Sequence, residues 1–527
     1  MNKPRSRRTA FPIAAWASLA LATTALAQNG LPYTIESPPE ARHFGSRVAS
    51  GGDANNDGYD DIFVVDDGAE ENGQTFGRWY MYSGIDGTLI WSGIGLESSG
   101  TETHFTAEFL ADLDGDGCDD VILGRSRLLD SRGGVDVFSG RTGDLLYSYR
   151  GAEMEDRMGW AISGLGDLND DDVPDFGFNT RYTLAGEVSI RSGRDGSEIR
   201  RFDVDWPRQI RDAGDINQDL VADIALSSFH QSQRFDAVRV ISGADGQLIW
   251  EVARDSLGGD HDFGYQLAAG TDVTGDHIPD VLASGELAYD GTAYLLSGAD
   301  GAQLTTYKNP ANPYRHHIQL LGVNLEFADL TGDGSAEVVA GGFEQILICE
   351  PLTGRVLSRR SKLEGRNTFS GTELAVGDVN GDGLSDIIVG LTAYENNVGG
   401  SVAVSSGGRM LLRLIEINEL PRDVVLRGYD YDVEVYSGSP NRTVRLLGSR
   451  SGHDCTFVPQ LGICIDLTRR IYDLGHAITD SDGFAVFHIR VPRHAPLIPI
   501  WIQALDIDDP TRGPITSNVL ELEITAP

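Results

Sequence analysis

Four cysteines in 527 residues are too few for a disulfide-built scaffold, and they show no zinc-type Cys/His spacing. Basic residues are also scarce: 42 Lys and Arg face 79 Asp and Glu, for a formal net charge of −37. That balance excludes nucleic acid and anionic membrane as partners, because both need clustered cations. Beyond the N-terminus no apolar run is long enough to cross a bilayer. Catalytic signatures are missing too, with no G-x-S-x-G elbow, H-E-x-x-H or P-loop. The best imidazole pair, His316-His317, suits a loop or strand-entry role. No enzyme activity is expected.

Hydrophobic residues make up 40% of the chain, ample for a packed core. The start, MNKPRSRRTAFPIAAWASLALATTALAQNG, has a basic end, an apolar stretch and the small-residue run Ala25-Leu26-Ala27. These are the parts of a secretory signal (residues 1–27, cleaved after Ala27), so a secreted, periplasmic or cell-surface protein is expected. Of the cysteines, Cys455 and Cys464 lie close together and are expected to form a disulfide, while Cys118 and Cys349 are expected to stay buried thiols.

The chain repeats itself. Seven acidic loops of the form D-x-[DNT]-x-D-x-x-x-[DE], four of them with Gly at position 6 and the others with Asp172, Leu220 or His277 there, recur at intervals of 48 to 59 residues. Each is preceded by a short segment such as HFGSRVASGG (43–52) and followed by a β-branched run such as DIIVG (386–390). Two extended runs joined by SG-x-DG turns come next, as in VRVISGADGQLIW (238–250). Four strands per repeat and no helical periodicity predict an all-β fold whose units must stack to bury their faces. Seven such units close radially as a seven-bladed β-propeller over residues 28–417, whereas the rungs of a linear solenoid are shorter than these repeats.

In each loop the side chains at positions 1, 3, 5 and 9 can converge on one hard cation, with the position-7 carbonyl as a further ligand. The sets are Asp53, Asn55, Asp57 and Asp61 in loop 1, and Asp112, Asp114, Asp116 and Asp120 in loop 2. Loop 3 has Asp167, Asn169, Asp171 and Asp175, and loop 4 has Asp215, Asn217, Asp219 and Asp223. Loop 5 offers Asp272, Thr274, Asp276 and Asp280, and loop 6 offers Asp329, Thr331, Asp333 and Glu337. Loop 7 closes the series with Asp378, Asn380, Asp382 and Asp386. Up to seven Ca²⁺ sites are expected. Loop 4 is the weakest, because Leu220 stands where a positive φ is needed. A strand follows position 9 at once and no Glu stands at position 12 of an EF-hand, so these loops are not EF-hands.

With its FG dipeptides at Phe44-Gly45 and Phe263-Gly264 and its seven loops, the chain resembles the FG-GAP repeat proteins, among them the integrin α-subunit propellers. The resemblance covers about residues 43–417 and implies a seven-bladed propeller, with calcium in the hairpin between the first two strands of a blade. It implies much less about function.

After residue 418 the pattern changes to alternating strands between turns, which predicts a small C-terminal β-sandwich over 418–527. The expected function is a calcium-stabilised module that binds a protein or glycan ligand. One alternative is an enzyme on a propeller scaffold, either a polysaccharide lyase or a quinoprotein-like one, since Trp91 and Trp250 sit where quinoprotein blades carry a tryptophan. A structural envelope or matrix component is the other.

Overall fold

The computed structural model describes residues 33–71, 74–95, 104–182, 186–228, 237–257, 263–285, 291–308, 322–342, 345–361, 373–392 and 400–405, and from 411 to 525 chiefly the strands. The N-terminal signal, His316-His317 and Cys455 lie outside the described residues. Cys118 and Cys349 are buried free thiols, as expected.

Seven four-stranded antiparallel sheets stand among the described residues. Blade 1 runs Phe44–Ala49, Ile62–Asp66, Arg78–Tyr82 and Leu89–Ile94 from the inside outward. Blade 2 extends from Phe105–Leu110 to Leu145–Arg150, and blade 3 from Ile162–Gly164 to Glu198–Asp203. Blade 4 runs from Pro207–Gly214 to Leu248–Ala253, and blade 5 from Leu267–Thr271 to Gln303–Lys308. Blade 6 runs from Asn324–Ala328 to Val356–Ser361. Each inner strand touches the inner strand of the next blade, and Leu374–Gly377 of blade 7 returns to Phe44–Ala49. The ring is closed.

Strand periodicity explains the closure. Successive side chains leave a strand on opposite faces, so each blade feeds two interfaces. In the second strand of blade 1, Ile62 and Val64 pack with blade 7 while Phe63 and Val65 pack with blade 2. Seven apolar clusters result, one between each neighbouring pair of blades. In the FG dipeptide Phe44 is fully buried edge-on to Tyr80 and Tyr82. Its glycine, at φ +83°, lies so close to the Ser401 carbonyl and the Gly390 Cα that a side chain has no room.

Blade 7 is built from both ends of the propeller. Its inner three strands are Leu374–Gly377, Asp386–Thr392 and Gly400–Ser405, and its outermost is Tyr33–Glu36, paired antiparallel with Ser401–Val404. The repeat pattern of the sequence does not reveal this exchange, because Tyr33–Glu36 precedes the first repeat.

Beyond the ring, Leu411–Leu414, Asp430–Tyr436 and Phe484–Arg490 form one sheet. Strands between Val424 and Thr525 form a second, with Thr443–Ser449 and Pro499–Asp506 at its middle. Val433, Val435 and Phe487 of the first sheet meet Val444, Leu446, Ile502 and Ala504 of the second in one core. The first C-terminal strand thus begins at Leu411, ahead of residue 418.

Candidate metal centres

All seven acidic loops leave the inner strands at the same end of the ring, and one conformation serves them all. The position-1 carboxylate accepts the N–H of position 6, at 2.8 Å in Asp53–Gly58 and 2.8 Å in Asp378–Gly383. The same bond holds where glycine is replaced: Asp172, Leu220 and His277 donate to Asp167, Asp215 and Asp272 at 2.7, 2.8 and 2.8 Å. These three residues adopt φ values of 65°, 73° and 69°. Position 5 accepts the N–H of position 7 in every loop, from Asp57–Tyr59 at 3.1 Å to Asp382–Leu384 at 2.9 Å. The loop shape is therefore set by aspartates at positions 1 and 5, and the glycine relieves strain without deciding the fold.

Position 9 has a second task. Asp120 is fully buried and takes the Leu113 N–H at 2.9 Å on one oxygen and the Gly140 N–H at 3.0 Å on the other. Asp175, Asp223 and Asp280 bind their own blades in the same way. The carboxylate thereby ties the loop to the SG turn between the third and fourth strands. The turn glycine is required: a Cβ on Gly140 would lie 1.8 Å from the Asp119 carbonyl oxygen, and on Gly243 1.9 Å from that of Ala222. Burial pushes Asp61 and Asp120 up to about 7 and Glu337 up to about 8, partly offset by these backbone bonds.

Do these residues fit a cation? In loop 2 one oxygen each from Asp112, Asp114 and Asp116 lies within 4.8 Å of the others, the one such acidic, His or Cys group among the described residues. In loop 1, Asp61 keeps a buried oxygen, Oδ2, with no hydrogen-bond partner. Crowded carboxylates and an orphaned buried anionic oxygen suit a hard cation bound through oxygen. Loops 2 and 3 also receive an arginine, with Arg141 Nε donating to Asp116 Oδ2 at 3.0 Å and Arg194 pairing with Asp171 at 3.4 Å. The signal was present in the two SGR turns, Ser139-Gly140-Arg141 and Ser192-Gly193-Arg194.

Trp91 and Trp250 are interblade contacts. Their indoles donate to the carbonyls of Gly140 and Gly298 in the next blades, at 2.5 and 2.6 Å. Tyr147 fills this role toward Gly193 at 2.8 Å, and Arg200 does so toward Gly243 at 2.8 Å. Tyr33, on the strand that completes blade 7, donates to the corresponding Gly84 of blade 1.

At the opposite end of the ring lies an aromatic and cationic cluster that the sequence reading missed. His104 stacks on Trp160 at 4.1 Å, Trp160 on Tyr182 at 4.9 Å, and Trp206 meets Tyr182 edge-on at 5.1 Å. Arg208 lies over Tyr265 at 4.2 Å. Trp206 has φ +45° and a buried indole N–H without a partner, a strained conformation for a bulky residue. A cavity of about 360 Å³ opens beside this cluster on the ring axis, lined by Arg47, Glu108, Arg211, Glu326 and Glu373. Arg47 pairs with Glu373, and Arg211 with Glu108 at 3.5 Å. Burial raises Glu326 and Glu373 to about 7. These residues come from separate repeats, so no single stretch of sequence displays them together.

Two family models match the chain: an FG-GAP-like repeat over residues 53–123 and an FG-GAP repeat over 370–405. Integrin alpha-V of Gallus gallus is 24% identical over 197 residues, which are 33% of this chain and 19% of that protein. The chain thus spans about a fifth of the length of this curated relative. Among solved structures, BBS1N in complex with ARL6DN is similar at a TM-score of 0.47 and 9% identity, over 72% of this chain and 98% of that one. The Dos1 propeller is similar at 0.40 and 13%, over 72% and 96%. With its FG dipeptides, its seven acidic loops and family matches over residues 53–123 and 370–405, the chain carries FG-GAP-type repeats and is similar to the FG-GAP repeat proteins.

Proposed function

We propose that the chain is an exported propeller whose acidic loops hold Ca²⁺, and that it acts as an adhesion or ligand-binding module. The observation that carries the reading is the loop conformation shared by all seven repeats, with three carboxylate oxygens of loop 2 within 4.8 Å. In each loop the position 1, 3 and 5 oxygens would hold the ion, with the position-7 carbonyl and the position-9 carboxylate. Bound calcium supplies the positive charge that these crowded carboxylates lack. Loop 4 is its weakest site, since Leu220 holds the turn at φ 73°. Similarity to an integrin alpha chain supports a location outside the cell.

The ligand meets the end of the ring opposite the loops. There Trp160, Tyr265 and Arg208 line an axial cavity with aromatic and cationic groups, and Trp206 extends the cluster through Tyr182. Trp91 and Trp250, on which the quinoprotein-like alternative rested, are committed to neighbouring backbones. The test is retention of the full chain on arrays of matrix proteins and extracellular glycans, with calcium and after chelation. Selective retention that falls at least tenfold on chelation or in Trp206→Ala is expected. Absence of any selective retention, or turnover of an arrayed polysaccharide, contradicts the reading.

A further inference from the structure

Asp60 and Asp119 hold position 8 of loops 1 and 2, beside the ligand positions but not among them. The Asp60 N–H donates to the Asp378 carbonyl at 3.1 Å, and Asp60 Oδ2 accepts the Asp378 N–H at 2.7 Å. Asp119 holds Asp53 through the same two bonds, at 2.9 and 2.9 Å. Asp378 and Asp53 are the first residues of loops 7 and 1, so each aspartate clasps the loop of the preceding blade. In loop 7 the Ser385 N–H reaches the Asp329 carbonyl of loop 6 at 3.0 Å. Loops 3 and 5 have Pro174 and Pro279 at position 8, and proline has no N–H to donate.

The peptide joining positions 7 and 8 is planar and trans, so its C=O and N–H point in opposite directions. Anchoring the Asp60 N–H on Asp378 therefore turns the Tyr59 carbonyl, the position-7 ligand of loop 1, away from loop 7. A cation drawing on that carbonyl polarises the same peptide and strengthens its N–H as a donor to the neighbouring loop. Side chains reinforce the link. A Cβ on Gly381 of loop 7 would lie 2.5 Å from the Tyr59 ring, and one on Gly332 of loop 6 would lie 2.4 Å from Leu384 of loop 7. In these two pairs position 7 of the later loop packs on position 4 of the loop before it.

We propose that loops 6, 7, 1 and 2 load calcium as one coupled unit, with Asp60 and Asp119 as the positioning residues that transmit occupancy between blades; this rests on the calcium reading of the loops. The coupled stretch spans the seam where the outer strand Tyr33–Glu36 closes blade 7, so ion binding and ring closure reinforce each other.

Tyr59 is the one aromatic residue at position 7 of the seven loops, and because its ring faces Gly381 of loop 7, terbium emission excited through it reports on loops 1 and 7. The experiment titrates chelator-stripped full chain with terbium and counts only emission that Tyr59→Phe abolishes and that Asp57→Asn, a ligand change in loop 1, also removes, so that the loop-7 component is excluded. Four proteins form a double-mutant cycle: wild type, Asp382→Asn in loop 7, Asp60→Ala, and the pair. Asp382→Asn is expected to weaken loop 1 about tenfold in wild type and less than about twofold in Asp60→Ala, the size of one charge-assisted hydrogen bond. Asp60→Asn keeps the acceptor oxygen and is expected to retain the coupling. An equal effect of Asp382→Asn in both backgrounds overturns the proposal and leaves the calcium reading standing. Should Asp60→Ala not fold, a loop-1 affinity unmoved by Asp382→Asn overturns it alone. Wild-type protein without saturable emission removes the calcium reading, and the coupling with it.

Discussion

A methyl group at Gly140 would lie 1.8 Å from a backbone oxygen, while one at Gly58 would meet nothing within 4 Å. Both glycines belong to repeated motifs, yet for different reasons: Gly140 lacks room, and Gly58 only holds a positive φ of 88°. Gly140→Ala is therefore expected to cost about 3 kcal/mol, and Gly58→Ala about 1 kcal/mol. Denaturant midpoints of the two variants check the difference, and equal losses would contradict it. In the axial cavity Glu326 is raised to about 7 by burial, with Arg211 opposing the shift and Glu108 adding to it. An unfolded glutamate titrates near about 4.3. Between these values the folded chain holds a proton that the unfolded chain has lost, so this group's contribution to stability falls as pH rises from about 4 to 7. Glu326→Gln is expected to match wild type at pH 4 and to be more stable at pH 8, both in saturating calcium. A variant less stable than wild type at pH 8 would contradict this.

At the scale of strands and loops, the hairpin pattern and the spacing of the acidic motif were legible because each blade repeats them locally. Unbroken apolar runs such as the IFVV of DIFVV (61–65) mark strands buried on both faces, as the separate clusters of Ile62 and Phe63 confirm. Contacts between repeats were not legible, since single-sequence patterns report neighbours along the chain. Docking by Trp91, Tyr147 and Arg200 uses three different residue types for one acceptor position, which hides the periodicity. The outer strand of blade 7 escaped notice for a related reason: YTIE is short and its partner lies at the far end of the propeller. Its loss would expose the Gly400–Ser405 edge and remove Ile35 from the core. Deleting residues 33–36 is expected to cost about 3–5 kcal/mol, and Tyr33→Phe, which removes only the bond to Gly84, about 1 kcal/mol. Thermal denaturation of both variants checks the order; a deletion without effect would mean that the ring closes by other contacts.

For the whole molecule, seven interfaces of similar make-up leave no single core to dominate, so anything that ties neighbouring blades has a global effect. The acidic loops lie along one end of that ring, and without a counter-ion their carboxylates repel one another. Extracellular calcium sites bind with dissociation constants of about 10⁻⁴–10⁻³ M, so at about 1 mM calcium each contributes roughly 0.4–1.4 kcal/mol. Seven sites together supply on the order of 3–10 kcal/mol, comparable with the net stability of a domain. The decisive measurement is the calorimetric melting temperature of the full chain in 1 mM calcium and after exhaustive chelation. A fall of about 10 °C or more on chelation, restored by added calcium, is the expected result. An unchanged melting temperature in chelator would contradict a ring held together by ions.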